Sequence, residues 1–186
     1  WVDTPAGIVV DTENASGVVT TGTWTASSST AGFNGASYLH DGNELRGQKS
    51  VRFTPVIPSS GNYRVSLRWC AHANRATNVP IAITHGGGIT STTVNQQSNG
   101  GTWFDLGAYS FTAGTTGNLL LTNTGTNGYV IADAAVWTPV ALPPSVRIYS
   151  SVPGTIRGGS IPAAVVFTRD GDTASQIASA LQRTAI

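Results

Sequence analysis

Residues Thr93 to Gly114 constrain the fold of this chain more than any other stretch. They read as a strand ending at Gln96, a glycine-rich turn, and a second strand with apolar residues at Trp103, Leu106, Tyr109 and Phe111. Successive side chains of a strand point to opposite faces, so such a segment builds one wall of a sheet. No cluster of acids, bases or metal ligands interrupts it. Function is therefore to be sought on the surface of a β-sheet protein.

The rest of the chain repeats the pattern. Ile8–Asp11, Val18–Thr20, Thr23–Ala26, Tyr38–His40, Ser50–Pro55, Val79–His85, Gly117–Thr122 and Tyr129–Trp137 are strand-like runs parted by Gly, Ser, Thr and Asn turns. Tyr63–Cys70 alternates most cleanly at period two. Many short strands with regular turns predict an all-β fold, an antiparallel β-sandwich of the jelly-roll kind. Val140-Ala-Leu-Pro-Pro-Ser breaks the pattern. It divides a module over 1–139 from a Pro-rich linker over 140–145 and a short, incomplete β-rich segment over 146–186. Val146–Tyr149 and Ala163–Arg169 read as two strands expected to pair with each other, and Thr173–Leu181 as a short helix or a third strand. Two or three strands cannot bury a core alone. The segment is expected to dock on the first module, to pair with another copy as a homo-oligomer, or to belong to a longer module.

Composition removes several classes. Charged residues make up 10% of the chain, against about 25% in ordinary domains. Nine of the ten basic residues are arginines, Lys49 is the single lysine, and the net charge of +1 is scattered. Nucleic acid is not an expected partner. No apolar run reaches the roughly 18 residues of a membrane span. Cys70 stands alone, excluding an internal disulfide, and alternates with Trp69 as a small core residue. The chain lacks methionine and opens at Trp1, as a mature or excised segment would. A surface rich in Thr, Ser, Asn and Gly suits a secreted or cell-surface protein.

The candidate chemistry is that of recognition. His40, His72 and His85 have no zinc spacing, and no Gly-x-Ser-x-Gly elbow occurs. Asp41 and Glu44 read as solvated loop acids, and no catalytic residue is expected. Asp133 lies in the apolar run Ile131–Val136, where a buried acid must find hydrogen bonds, an arginine or a metal. Asp11 and Asp133 are the pair expected to hold a structural calcium, if any cofactor is present. Sugars need aromatic rings for their apolar faces and amides or guanidinium groups for their hydroxyls. Trp69, Trp103 and Trp137 read as core. Tyr38, His40, Asp41, Arg75 (beside Asn74 and Asn78), His85, Gln96 and Gln97 are the expected ligand contacts.

Ile8 to Trp137 resembles the golvesin C-terminal-like domain, also described as a xanthan-lyase type of carbohydrate-binding module. The resemblance is carried by Gly22-Thr-Trp-Thr-Ala-Ser, Gly35-Ala-Ser-Tyr-Leu-His-Asp, Asn74-Arg-Ala-Thr-Asn-Val-Pro, Val94-Asn-Gln-Gln, Gly100-Gly-Thr-Trp and Gly125-Thr-Asn-Gly-Tyr-Val-Ile-Ala-Asp-Ala. It implies a β-sandwich appended to bacterial secreted enzymes and surface proteins. Ser145–Ser175 has a fainter similarity to the opening strands of a Calx-β motif. The expected function is a non-catalytic accessory module binding a polysaccharide or cell-surface glycan. A structural or adhesive subunit completed by intermolecular strand pairing is the alternative. A hydrolase using His40, His72 or His85 with Asp41 or Asp133 comes third.

Overall fold

Among the described residues the alternating segments form fourteen strands, joined by antiparallel ladders. The computed structural model describes residues 7–14 and 16–140 and, beyond them, the backbone of 146–150 and 165–169. No helix occurs among the described residues. The strands are β1 (Ile8–Asp11), β2 (Val18–Thr21), β3 (Thr25–Ser27), β4 (Tyr38–His40), β5 (Ser50–Phe53), β6 (Gly61–Arg68) and β7 (Val79–His85). They continue with β8 (Gly88–Val94), β9 (Phe104–Phe111), β10 (Asn118–Thr122), β11 (Ile131–Ala132), β12 (Ala134–Pro139), β13 (Val146–Ser150) and β14 (Val165–Arg169).

One sheet has the order β1-β12-β6-β9 and a second the order β2-β5-β10-β7-β8, giving the expected antiparallel β-sandwich. Register explains the core. Leu119 lies opposite Phe53 on one side and Ile83 on the other; two residues on, Leu121 lies between Val51 and Ile81. These two rows of buried apolar side chains belong to one core with Tyr63, Val65, Leu67, Phe111 and Trp137 of the first sheet. Each such side chain contributes about 1.5–3 kcal/mol through burial. Trp69 and Trp137 are fully buried, as expected of core residues.

Two sequence expectations shift at the segment that opened the analysis. Between β6 and β9 the register slips, with Val65 opposite Gly107 and Ser66 opposite Asp105. Leu106 is thus the extra residue of a bulge, and Gly107 beside it takes a φ of 114°. The bulge accounts for the uneven spacing of Trp103, Leu106, Tyr109 and Phe111. The strand begins at Phe104; Trp103 lies before it, half-buried, its ring 5.7 Å from the Arg68 guanidinium carbon. On the other side β8 ends at Val94 rather than Gln96.

Cys70 follows β6 and is wholly buried. Burial, with the Asp133 carboxylate as a lesser cause, pushes its thiol up to about 12. Thiolate is the reactive form, so the native protein should stay unlabelled by a thiol reagent at pH 8. One equivalent should react on unfolding. Rapid labelling of the folded chain would contradict this burial.

A third sheet, β11-β4-β3, places His40 opposite both Ile131 and Thr25 and carries Tyr38 and His40 toward the loops. The chain divides into two units between Val140 and Ala141. In the second, β13 and β14 pair with each other, Ile148 opposite Phe167. The expectation for Thr173–Leu181 lies outside the described residues.

Candidate functional site

Two polar loops, 71–78 and 123–130, are zipped together by their amides. Asn127 accepts from Thr77 N at 2.8 Å through Oδ1, and its own N–H donates to Asn78 Oδ1 at 3.0 Å. Asn78 Nδ2 reaches Gly125 O at 2.9 Å. Ala76 N donates to Tyr129 O at 2.8 Å and Tyr129 N to Asn74 O at 3.1 Å, a parallel bridge between Arg75 and Tyr129. The approach leaves no room for a side chain at Gly128, where a Cβ would lie 2.8 Å from the carbonyl oxygens of Asn74 and Arg75. Gln97 braces the same loop, its Nε2 donating to Arg75 O at 2.9 Å.

Against this zipper a polar pocket of roughly 440 Å³ opens. Tyr38, His40 and Arg75 line it, with Ser27, Ser29, Thr30, His72, Asn74 and Tyr129. Arg75 is only 6% exposed. Its Nη2 donates to Thr30 Oγ1 at 3.1 Å and Tyr38 Oη at 3.3 Å. Its guanidinium carbon lies 5.7 Å from the Tyr38 ring centre and 5.9 Å from that of Tyr129, within cation–π range. Burial raises the Tyr38 hydroxyl, but hydrogen bonding with Ser27, Ser29 and Thr30 and the Arg75 charge outweigh it and bring it down to about 8. Burial, then the Arg75 charge, lowers His40 and keeps it neutral at pH 7. His40 Nδ1 accepts from Gly42 N at 3.1 Å, which places the ring proton on Nε2.

The structure brings three of the expected ligand contacts together, and two of these differ from expectation in burial. Tyr38 and Arg75 are expected as ligand contacts at the surface; both are buried walls of the pocket, because the 71–78 loop folds back over β4. Asp41 is not a solvated acid: it is completely buried and turned away from the pocket. Its Oδ1 accepts from Val130 N and Asn43 N, each at 2.9 Å, and its Oδ2 from Asn123 Nδ2 at 3.1 Å. Gln96 is also completely buried, clasping Ile131 through Oε1 at 2.8 Å and Nε2 at 2.7 Å, which replaces the strand pairing expected of it. Gln97 stands behind Arg75. His85 closes the β7–β8 hairpin elsewhere, bonded to Thr90 Oγ1 at 3.0 Å and packed on Tyr109. Ser27, Ser29, Thr30, His72 and Tyr129 were not foreseen as contacts; only the cluster of hydroxyl residues from Ser27 to Thr30 hinted at them.

No histidine lies within 4.0 Å of a carboxylate oxygen among the described residues, and ion pairs join only Arg64 to Asp105 and Arg68 to Asp133. The arrangement offers hydroxyls, imidazoles, an amide and a guanidinium around two tyrosine rings. It can hold a polar ring.

The acidic corner is separate. Asp133 is fully buried, each carboxylate oxygen accepting from Asn34 N at 3.1 Å, with Arg68 Nε at 4.0 Å. Asp11 Oδ2 accepts from Asn34 Nδ2 at 2.6 Å. Glu13, which sequence reasoning passed over, holds the next loop through Ala36 N at 3.0 Å and Ser37 Oγ at 2.8 Å. Burial raises Asp133 to about 8, Asn34 opposing and Asp11 reinforcing the shift; Asp11 is raised by burial too. These hard oxygens are of the type calcium prefers, but calcium takes 6–8 of them. No three acidic, histidine or cysteine side chains converge at metal-binding distance among the described residues.

Fold and site together define a β-sandwich module with a loop-end pocket. The chain belongs to the Golvesin C-terminal domain family, which matches residues 8–138. It is 43% identical over 136 residues to xanthan lyase of Bacillus sp. (strain GL1), a match covering 72% of this chain and 15% of that protein. A solved Paenibacillus xanthan lyase superposes with a TM-score of 0.72 at 50% identity, over 73% of this chain and 13% of that one. A CBM35 from Cellvibrio japonicus has a TM-score of 0.50 at 18% identity, over 70% of this chain and 92% of its own length, a likeness of fold alone. The chain thus corresponds to a small part of the xanthan lyases it matches.

Proposed function

We propose that this is a non-catalytic carbohydrate-binding accessory module of a secreted or cell-surface bacterial protein, with the Arg75 pocket as its site. The observation that carries the reading is the pocket's lining, two tyrosine rings amid hydroxyl, imidazole, amide and guanidinium groups. Such a lining matches a sugar ring's apolar face and hydroxyl rim. The kinship with xanthan lyases supports a polysaccharide or cell-surface glycan as partner. The lack of a histidine–carboxylate pair among the described residues supports a binding rather than a catalytic role.

A glycan array, followed by calorimetry on xanthan, other acidic polysaccharides and peptidoglycan, tests it. Binding stronger than about 1 mM is expected for at least one glycan. Absence of binding to all of them at millimolar concentration would refute the reading.

The β13–β14 pair favours a second reading, a structural or adhesive subunit. A two-stranded ladder is marginal by itself, and its outer edges are templates for a further strand. Removing residues 143–186 should then lower the mass measured by light scattering from a multimer to a monomer. A monomer before and after deletion rules this reading out.

A further inference from the structure

We infer that the pocket selects sugars carrying a carboxylate, and that Arg75 is the residue that reads the charge. The inference rests on the carbohydrate-binding reading and specifies the class of sugar. Its basis is the state of Arg75. A guanidinium has five N–H donors and keeps its charge throughout the physiological range. Two of the five, those of Nη2, are used by Thr30 Oγ1 and Tyr38 Oη. Nε is buried without any partner, and Nη1 has none among the described residues.

The contrast with the neighbouring arginines is informative. Arg64 and Arg68, both more exposed, lie beside carboxylates of Asp105 and Asp133. Arg75 is nine-tenths buried and has no carboxylate within 4.0 Å among the described residues. Burying a cation without an anion is costly, and here only tyrosine rings and two hydroxyls compensate. Nε is closed off from solvent, so Nη1 is the donor left for a ligand in the open pocket that Arg75 lines. The complementary ligand group is a carboxylate, which Nη1 can meet with a charge-assisted hydrogen bond while Nη2 stays on Thr30 and Tyr38.

The rest of the lining fits a carboxylate borne on a pyranose. His40, neutral at pH 7 with its proton on Nε2, offers a donor without a competing charge. Ser27, Ser29 and Asn74 can meet ring hydroxyls, and Tyr129 presents a half-buried ring. Among the nine lining residues there is no acidic side chain to repel the ligand.

The test uses native protein with three probes differing in one group: sodium glucuronate, its methyl ester and glucose. Titrations followed by amide chemical shifts are expected to show at least tenfold tighter binding of the free acid than of ester or glucose. Sodium galacturonate separates recognition of the carboxylate, shared by both acids, from recognition of one sugar's hydroxyl pattern. Arg75→Gln, checked for a native spectrum, should abolish the preference for the acid. Where that variant does not fold, the acid–ester comparison on native protein decides. Equal affinity for acid, ester and glucose would overturn the inference while leaving the carbohydrate reading intact. No binding by any probe or by the glycan array would remove both.

Discussion

Asp41→Ala is expected to destabilise the module by roughly 3–5 kcal/mol, the usual cost of stripping one partner from a buried charged network. The carboxylate stands where three chain segments meet, accepting from Asn43 N, Val130 N and Asn123 Nδ2. Asn123 in turn accepts from Gly47 N at 2.9 Å and Lys49 N at 3.1 Å. The buried Lys49 ammonium donates to the Asp41 carbonyl at 2.5 Å. Truncation leaves the buried Val130 N–H and the Asn43 N–H without partners, while Asn123 Nδ2 keeps the carbonyls of Glu44 and Leu45. Urea unfolding should register the loss, and the melting temperature should fall by about 10–20 °C. Glu44→Ala, exposed in the same loop, should change stability by no more than about 0.5 kcal/mol. Equal small effects at both positions would contradict the central role assigned to Asp41.

A second large effect concerns pH. With divalent cations chelated, stability should fall between about pH 4 and pH 8. Asp133 titrates near 8 in the folded protein, whereas a free aspartate titrates near 3.8. Across that interval the native state holds a proton that the unfolded chain has released, so each rise in pH favours unfolding, by up to about 1.4 kcal/mol per unit. Asp11, also raised, adds in the same direction. The total is on the order of a few kcal/mol. Asp133→Asn keeps the shape without the charge and should flatten the profile, leaving the variant more stable than the parent at pH 8. A parent profile that is flat in chelator would refute the assignment. The same experiment tests the calcium proposal for Asp11 and Asp133. A bound cation holds both groups ionised, so millimolar calcium should restore stability at pH 8. A profile indifferent to calcium would exclude the site and leave the proton linkage standing.

How much of this was legible in the chain itself differs by region. Tyr63–Cys70 announced its strand, its inward face and its buried Trp69, because period-two alternation is a local property set by backbone geometry. Gly86 to Gly88 mark the turn between β7 and β8 for an equally local reason, since glycine tolerates the positive φ that Gly88 takes. The uneven spacing from Trp103 to Phe111 was visible, but its cause was a bulge defined only by the partner strand. Asp133 could be recognised as a buried acid from its apolar neighbours alone.

The pocket is another matter. Asp41 looks like any loop acid until Asn123 and Val130, 82 and 89 residues away, close over it. Gln96 looks like a ligand contact until Ile131, 35 residues on, takes both ends of its amide. Arg75 was named for its loop, yet its burial depends on Tyr38 and Thr30, 37 and 45 residues away, and on the zipper with Asn127. The sequence by itself determined the strands, the sandwich and the apolar faces, since these follow from short-range periodicity and burial of apolar area. Only the tertiary structure decided which polar side chains became scaffold and which line the pocket, because a polar group's fate depends on partners that chain order does not reveal.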